Sequence, residues 1–290
     1  MLGVKQTGIN DELSVLADMG VVTAEIAECE RLGREREIAR QTYDRLFPYH
    51  VPPVAGLDYC GANRPALEMG GDYFDFLDFL TPPSPKLGLA IGDVSGKGIP
   101  AAIVMPVLRA SLRALTICPQ GNLARLVTNL NRLVYEAIPP AHFASFFYGE
   151  YEVPTRRFTY VNAGHNPPIV LRNRADRPRA MRLDAGGGLL GLFPESSYCQ
   201  ATVTLESGDL VIAYTDGLSE AMNAQGQLWG EDRLIQTAKG CAGLDLSAAD
   251  TVDTLLEAAS SFASGAPQRD DIAVVVLRVI ELAEANSSLD

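Results

Sequence analysis

The chain has few basic residues and no long apolar run. Its 290 residues carry 24 Lys and Arg against 36 Asp and Glu, and the resulting formal charge of −12 would repel a phosphate backbone. We therefore expect no nucleic acid among its partners. No apolar run approaches the roughly 18 residues that span a bilayer, so we expect no membrane segment or membrane partner either.

Cysteine is also scarce. The five cysteines are odd in number, widely separated and without a CxxC pair, which is typical of reduced thiols in a cytosol. The N-terminus lacks the basic start and continuous apolar core of a secretory signal. The sequence therefore predicts a cytoplasmic protein without a disulfide framework.

A polar segment near the N-terminus has apolar residues at roughly helical intervals, which predicts one long helix over residues 11–47. Gly20 and Gly33 each cost about 1 kcal/mol relative to alanine inside a helix, so this helix needs a partner surface. It either packs along its own chain or forms a dimerising or signal-receiving coiled coil. Of these alternatives we favour dimerisation.

The compact part of the chain begins at a cluster of prolines, because proline cannot continue a helix. This boundary predicts a regulatory or dimerising helix (1–47), a compact domain (48–282) and a tail (283–290). Strand-like runs grouped with two pairs of helical stretches predict an α+β sandwich whose helices cover the sheet faces. Asn122 and Ser247 are the expected helix N-caps. The expected strands are 57–63, 72–80, 86–94, 143–153, 156–164, 168–172, 198–206, 209–217 and 271–280, and the expected helices are 100–117, 123–138, 231–239 and 248–263.

Four aspartates share one sequence context, since each follows or opens an apolar strand and stands beside glycine or another aspartate. A strand end is held rigidly by its sheet while its side chain projects into a cleft, which suits a catalytic group. If the four converge, carboxylates about 4 Å apart repel by roughly 4 kcal/mol per pair at an effective dielectric near 20. A positive charge must then lie between them. The four are Asp72, Asp93, Asp216 and Asp270.

These segments supply only two basic residues, whereas two divalent cations would balance four carboxylates. All-oxygen ligation favours magnesium or manganese over zinc, which prefers histidine and cysteine. The pattern therefore predicts a two-metal site, although each aspartate taken alone is also a plain turn former. Asp75 and Asp78 are expected to face solvent or to support the ligands, and Asp75 is also a possible ligand itself. Asp271 is an alternative ligand to Asp270.

Five motifs occur in a fixed order: GGDYFDF, GDVSGKGIPAA, NAGHNPP, YTDGLSEAMN and RDDIAVVV. In this order they resemble the metal-dependent PP2C-type (PPM) serine/threonine phosphatases, specifically the bacterial SpoIIE-like or RsbU-like branch. The resemblance implies a PP2C-like β-sandwich flanked by helical pairs, with two Mn²⁺ or Mg²⁺ between the sheets and no organic cofactor. It also implies hydrolysis of phosphoserine or phosphothreonine on a regulatory protein, often a STAS-type anti-anti-sigma factor, by a metal-activated water.

The resemblance also implies a ligand set. Matched motif by motif, Asp93 is the bridging ligand, the Val94 carbonyl joins it on one metal, and Asp72 completes that site. Asp216 and Asp270 would hold the other metal. Asp93 and Asp216 are therefore the expected catalytic aspartates.

Two further residues are expected near phosphate or substrate. The chain has no clear match to the phosphate-clamping arginine of the eukaryotic-type relatives, and Lys97 is the expected substitute unless it points to solvent. His165, in NAGHNPP, either acts on the leaving group or orders a turn beside two prolines. His50 and His142 carry no signal.

Other chemistries fit less well. No cysteine stands at CxxxxxR spacing from an arginine, and GDVSGKG has three residues between its glycines where a P-loop needs four. The alternative function is a phosphatase-like binding module that has lost its metals and sequesters a signalling partner, but all four aspartates are present. An activator at the N-terminal helix and a homodimer are the other expected partners.

Overall fold

The structure is a computed structural model that describes residues 7–48, 52–79, 85–117, 121–139, 142–172 and 179–281. For residues 7–25 it describes the backbone alone. His50, Cys118, most of the proline-rich turn that follows the 72–80 strand and the tail over 283–290 lie outside the described residues.

A long N-terminal helix precedes the sheets. Helix α1 runs from Thr7 to Asp44, which confirms the helix predicted over 11–47 with both ends three or four residues earlier. Residue contacts divide the chain into two compact units, residues 1–46 and the chain from Phe47 onward. On the surface of α1, Arg31 contacts Glu28 and Glu35 one turn away on either side, and such exposed pairs stabilise a helix only slightly.

The second unit contains eleven strands and five further helices in the described residues. The strands are β1 (Leu57–Arg64), β2 (Tyr73–Phe79), β3 (Lys86–Val94), β4 (Ala144–Glu152), β5 (Arg157–Ala163), β6 (Ile169–Arg172), β7 (Arg179–Arg182), β8 (Gly186–Gly187), β9 (Ala201–Thr204), β10 (Leu210–Tyr214) and β11 (Ile272–Val279). The helices are α2 (Ile99–Ile117), α3 (Leu123–Ala137), α4 (Asp216–Ser219), α5 (Gly230–Gly243) and α6 (Ala248–Ala263).

The strands form two sheets. The five-stranded sheet has the order β1-β11-β10-β6-β7, and the six-stranded sheet has the order β2-β3-β4-β5-β8 with β9 also paired to β5. All pairs are antiparallel except β5 with β8. In the six-stranded sheet Tyr73 lies opposite Gly92, and Asp93 lies opposite Ser145. The start of β2, the end of β3 and the start of β4 therefore share one edge.

The two sheets pack face to face around the main core. Phe76, Leu89 and Phe147 of one sheet share a buried cluster with Val211 and Val275 of the other. Strand β11 is buried on both faces because its alternate residues face a second cluster beneath α5 and α6, which explains its unbroken apolar sequence. Helices α2 and α3 contact the six-stranded sheet. The predicted α+β sandwich flanked by helical pairs is confirmed.

Local signals located most elements of this fold. Asn122 accepts a hydrogen bond from the Arg125 amide and Ser247 accepts one from the Asp250 amide, as predicted for N-caps. The short strands β7 and β8 and the single turn α4 were not predicted. All four residues of β7 are exposed, so this edge strand has no apolar alternation to reveal it.

Helix α2 is long and apolar enough, by length and composition, to cross a membrane. The expectation of no membrane segment did not take this helix into account. The helix carries six buried residues and contacts α3, β2 and β3. Its Arg113 pairs with Asp75 of β2. This packing is that of a helix covering a sheet.

Candidate active site

The four predicted ligand aspartates lie on segments that meet at one edge of the sandwich. Asp72 precedes β2, Asp93 is the penultimate residue of β3, Asp216 opens α4 after β10, and Asp270 precedes β11. The antiparallel registers bring these ends to the same edge of each sheet. Direct contacts then join the segments across the two sheets.

The first contact joins the Asp72 segment to the end of β3. The Val94 amide donates to the Gly71 carbonyl at 3.4 Å. A Cβ at position 71 would lie 2.7 Å from the Val94 carbonyl oxygen, so only glycine allows this approach. The Val94 carbonyl, a predicted ligand, therefore lies beside the residue that precedes Asp72.

Thr215 forms the second contact, between the sheets. Its hydroxyl lies 2.7 Å from an oxygen of buried Asp72 and also accepts from the Ala273 amide at 2.8 Å. Sequence reasoning missed this residue, although it directly precedes Asp216 in the YTDG motif. Thr215 positions the Asp72 carboxylate against the end of β10.

Asp271 forms the third contact and acts differently from the expected alternative ligand. Its two carboxylate oxygens accept from the amides of Ala66 and Gly71, each at 2.8 Å. Both oxygens are therefore engaged in holding the loop that leads to Asp72. A Cβ at Gly217 would lie 1.9 Å from the Asp271 carbonyl oxygen, which shows how closely α4 packs on this segment. Asp271 therefore positions this loop, and its role as an alternative ligand to Asp270 stays a prediction.

Asp75 corrects a second expectation. Its carboxylate is fully buried, whereas we expected it to face solvent or to support the ligands. Arg113 of α2 binds both oxygens at 2.7 Å, and Arg109 lies 3.5 Å away. Asp75 thus ties α2 to β2 and is neither a metal ligand nor a surface residue, while Asp78 is exposed as expected.

The remaining aspartates have unfavourable surroundings for negative charge. Burial and the nearby charges of Asp216 and Asp270 raise the pKa of Asp93 to about 7. Burial and Asp93 raise the pKa of Asp72 well above its usual range, although the Thr215 hydrogen bond opposes this shift. Burial and Asp270 raise the pKa of Asp216. The side chains of the cluster therefore supply too little positive charge to neutralise its carboxylates. This agrees with the prediction from the sequence that cations must lie between them.

Lys97 supplies part of that charge. Its Nζ lies 2.7 Å from the Asp270 carboxylate and 2.6 Å from the Arg269 carbonyl oxygen. Its positive charge also lowers the pKa of Asp93 and of Asp216, against the larger raising effects. Lys97 is therefore directed into the cluster, not to solvent alone.

His165 is placed differently from a residue that contacts substrate. Its ring is only 5% exposed, and its Nδ1 lies 2.8 Å from the Ser145 hydroxyl. Asn162 bonds to both the amide and the carbonyl of His165. Burial lowers the pKa of His165 to about 4, so the ring is neutral near pH 7. This arrangement supports the turn-ordering alternative for His165.

Divalent cations fit the donor set. The carboxylate oxygens and the Val94 carbonyl oxygen are hard donors, which magnesium and manganese prefer. Neighbouring aspartates also raise the pKa of Asp72 and of Asp93, and a bound cation would offset this repulsion. Among the described residues, however, no three Asp, Glu, His or Cys side chains already surround one point as they would a bound ion. One oxygen of Asp270 contacts the Lys97 ammonium and one oxygen of Asp72 accepts from the Thr215 hydroxyl.

The SpoIIE family, described as Stage II sporulation protein E, matches residues 83–280. The chain belongs to this family. Phosphoserine phosphatase RsbU of Bacillus subtilis (strain 168) is 29% identical over 253 residues, which cover 86% of this chain and 71% of RsbU. These matches confirm the predicted SpoIIE/RsbU-like branch and the protein-serine/threonine phosphatase class.

Solved structures confirm the PP2C fold. The RsbU and RsbW domains of Rv1364c from Mycobacterium tuberculosis align with a TM-score of 0.64 and 26% identity, over 80% of this chain and 62% of that one. The SiaA-PP2C domain of Pseudomonas aeruginosa aligns with a TM-score of 0.73 and 17% identity, over 86% and 97%. Serine/threonine phosphatase PstP in complex with two manganese ions aligns with a TM-score of 0.54 and 17% identity, over 78% and 99%.

Proposed function

We propose that this SpoIIE-family chain is a metal-dependent phosphatase that removes phosphate from phosphoserine or phosphothreonine on a regulatory protein. The observation that carries the proposal is the meeting of four acid-bearing segments at one edge. There the charges of neighbouring aspartates add to burial in raising the pKa of Asp72, Asp93 and Asp216. Similarity to RsbU, named a phosphoserine phosphatase, supports the reaction class.

The proposed cofactors are two Mn²⁺ or Mg²⁺ ions, and the two manganese ions in the PstP structure support this number. When bound, such ions lower the pKa of a coordinated water and offset charge on the phosphoryl oxygens. The protein holds the oxygens in place through Thr215, which fixes Asp72, and through Asp271, which fixes the preceding loop. The proposed ligands are Asp72, Asp93, the Val94 carbonyl, Asp216 and Asp270.

The proposed substrate is a STAS-type anti-anti-sigma factor in the cytoplasm. The solved Rv1364c structure joins RsbU and RsbW domains, which supports a substrate from that kind of regulatory system. In this proposal the Lys97 ammonium contacts the phosphoryl group, since it already lies at the edge of the cluster and is half exposed.

The N-terminal helix is the proposed regulatory element, either as a homodimer contact or as the site of an activator. Ile26 and Ile38 of α1 are 53% and 64% exposed, and Leu32 is 40% exposed. Apolar side chains on a polar helix are typical of a surface that meets a partner. A mass that rises with protein concentration in sedimentation equilibrium would support the homodimer, and a constant monomer mass would leave the activator.

The decisive experiment compares Asp93→Asn with Asp78→Asn, because Asp78 is an exposed carboxylate on the same sheet. Hydrolysis of p-nitrophenyl phosphate and of phosphoserine protein is measured with Mn²⁺ and with a chelator. We expect Asp93→Asn to lose at least about a hundredfold in turnover and Asp78→Asn to resemble the unmodified protein. Full turnover in Asp93→Asn overturns the ligand assignment, and no Mn²⁺-dependent turnover in the unmodified chain favours the binding module.

A further inference from the structure

Lys97 is positioned as part of the carboxylate cluster. Its Nζ is 2.7 Å from Asp270 Oδ2, and its charge acts on Asp93 and Asp216 as well. One ammonium group therefore interacts with three of the four proposed ligand aspartates. The Arg269 carbonyl, 2.6 Å away, holds the same group from the protein side.

The loop that carries Lys97 is shaped to present this side chain. Gly96 and Gly98 on either side of it have φ values of +99° and +66°, which side-chain-bearing residues rarely adopt. The Lys97 side chain is 49% exposed. The ammonium therefore lies between the cluster and solvent and can move from one to the other. A flexible stem with a compact charge suits a group that changes partner.

We propose that Lys97 is the resident counter-ion of the cluster and sets its affinity for divalent cations, because an ion that binds Asp270 competes with the ammonium for the same carboxylate. This inference rests on the proposed function. Lys97 differs from Arg113, whose partner Asp75 is fully buried, whereas Asp270 is 39% exposed. The displaced ammonium would then be available to the phosphoryl group of the substrate.

The proposal predicts the sign of a change in metal affinity. Removing the ammonium leaves Asp270 unpaired and the cluster more negative, so divalent cations should bind more tightly. Opposite charges a few ångströms apart attract each other appreciably even at the effective dielectric of a protein surface. We therefore expect Lys97→Met to lower the dissociation constant for Mn²⁺ by about tenfold or more, while Lys97→Arg, which keeps the charge, stays within about threefold of the unmodified chain.

The test is calorimetric titration of the full chain with Mn²⁺, and separately with Mg²⁺. Lys86→Met is the matched control, because Lys86 pairs with Glu150 at the opposite end of the same strand as Asp93. The dissociation constant of Lys86→Met for each cation should equal that of the unmodified chain. Far-ultraviolet circular dichroism of each variant establishes that the fold is retained.

Two results overturn the proposal in distinguishable ways. If the unmodified chain binds Mn²⁺ and Lys97→Met binds it equally or more weakly, the counter-ion role is wrong and the proposed function stands. If the unmodified chain binds neither cation, the metal site fails and both proposals fall with it. Tighter binding in Lys97→Met alone, with Lys97→Arg and Lys86→Met unchanged, supports the counter-ion role.

Discussion

Asp75 and Asp93 lie on neighbouring strands of one sheet, yet their surroundings are opposite. Asp75 is fully buried and held at both oxygens by Arg113. Asp93 instead faces Asp216 and Asp270, which oppose its charge. The comparison teaches that this fold neutralises the carboxylate that attaches a helix to the sheet and leaves uncompensated the carboxylates that are placed for chemistry.

The positive charge of Arg113 is what neutralises Asp75, so removing it should have a large effect on stability. In Arg113→Met a buried carboxylate loses its bidentate partner, and Arg109 at 3.5 Å replaces it only in part. We expect the free energy of unfolding to fall by about 3 kcal/mol, measured by urea denaturation in the presence of a chelator.

Two controls define that result. The double variant Asp75→Asn with Arg113→Met removes the charge together with its partner and should recover part of the loss. Arg132→Met breaks the exposed pair with Glu136 and should cost no more than about 0.5 kcal/mol. A loss in Arg113→Met no larger than in Arg132→Met would contradict the structural role of Asp75.

His165 is a third kind of buried titratable group, because its ring has no charged partner and stays neutral near pH 7. Its pKa is lowered to about 4 in the folded chain, below the unfolded value near 6.5. As pH falls, the unfolded chain binds this proton first, so stability is present above pH 6.5 and is lost toward pH 4. We expect about 2 kcal/mol of loss between pH 7 and pH 5 from this residue.

The measurement is the pH dependence of urea unfolding for the unmodified chain and for His165→Gln. Glutamine accepts a hydrogen bond from Ser145 and does not titrate. The difference in slope between the two proteins isolates His165 from the carboxylates. Parallel curves would show that protonation of the His165 ring costs no folding free energy, which contradicts its neutral, buried state.

The smallest expected effect has the opposite sign. In Asp93→Asn the cluster loses one repelling charge, so the metal-free protein should be more stable, by about 1 kcal/mol. The same substitution at Asp75 should be destabilising, since it removes the partner of Arg113. Urea denaturation in chelator measures both. Destabilisation by Asp93→Asn would mean that its carboxylate already has a favourable partner.

The sequence predicted the fold and the location of the aspartates because both depend on local signals. Apolar strands that end in glycine and aspartate locate Asp72, Asp93, Asp216 and Asp270 at strand ends, and antiparallel pairing brings those ends together. Because the sheet holds each strand end rigidly, these four aspartate side chains can occupy few positions other than the shared edge. The family resemblance added the order of motifs.

The roles of Asp75 and Thr215 could not be predicted because their partners are far away in sequence. The alternation in DYFDFLDF suggested that Asp75 faces solvent, yet β2 is covered on both faces and Arg113 stands 38 residues later. Thr215 meets Asp72 across 143 residues. No local pattern identifies a contact that depends on how two sheets pack.

The Thr215 hydroxyl limits which side chains this position can hold. Its single oxygen accepts a hydrogen bond from the Ala273 amide and donates one to the Asp72 carboxylate. Valine has the same shape but no hydroxyl, so Thr215→Val would remove both hydrogen bonds at once. Serine keeps the oxygen but not the β-branch that suits an extended backbone. The hydroxyl of Thr215 therefore restricts this position, where the two sheets are linked, to few side chains, although several others would fit by shape.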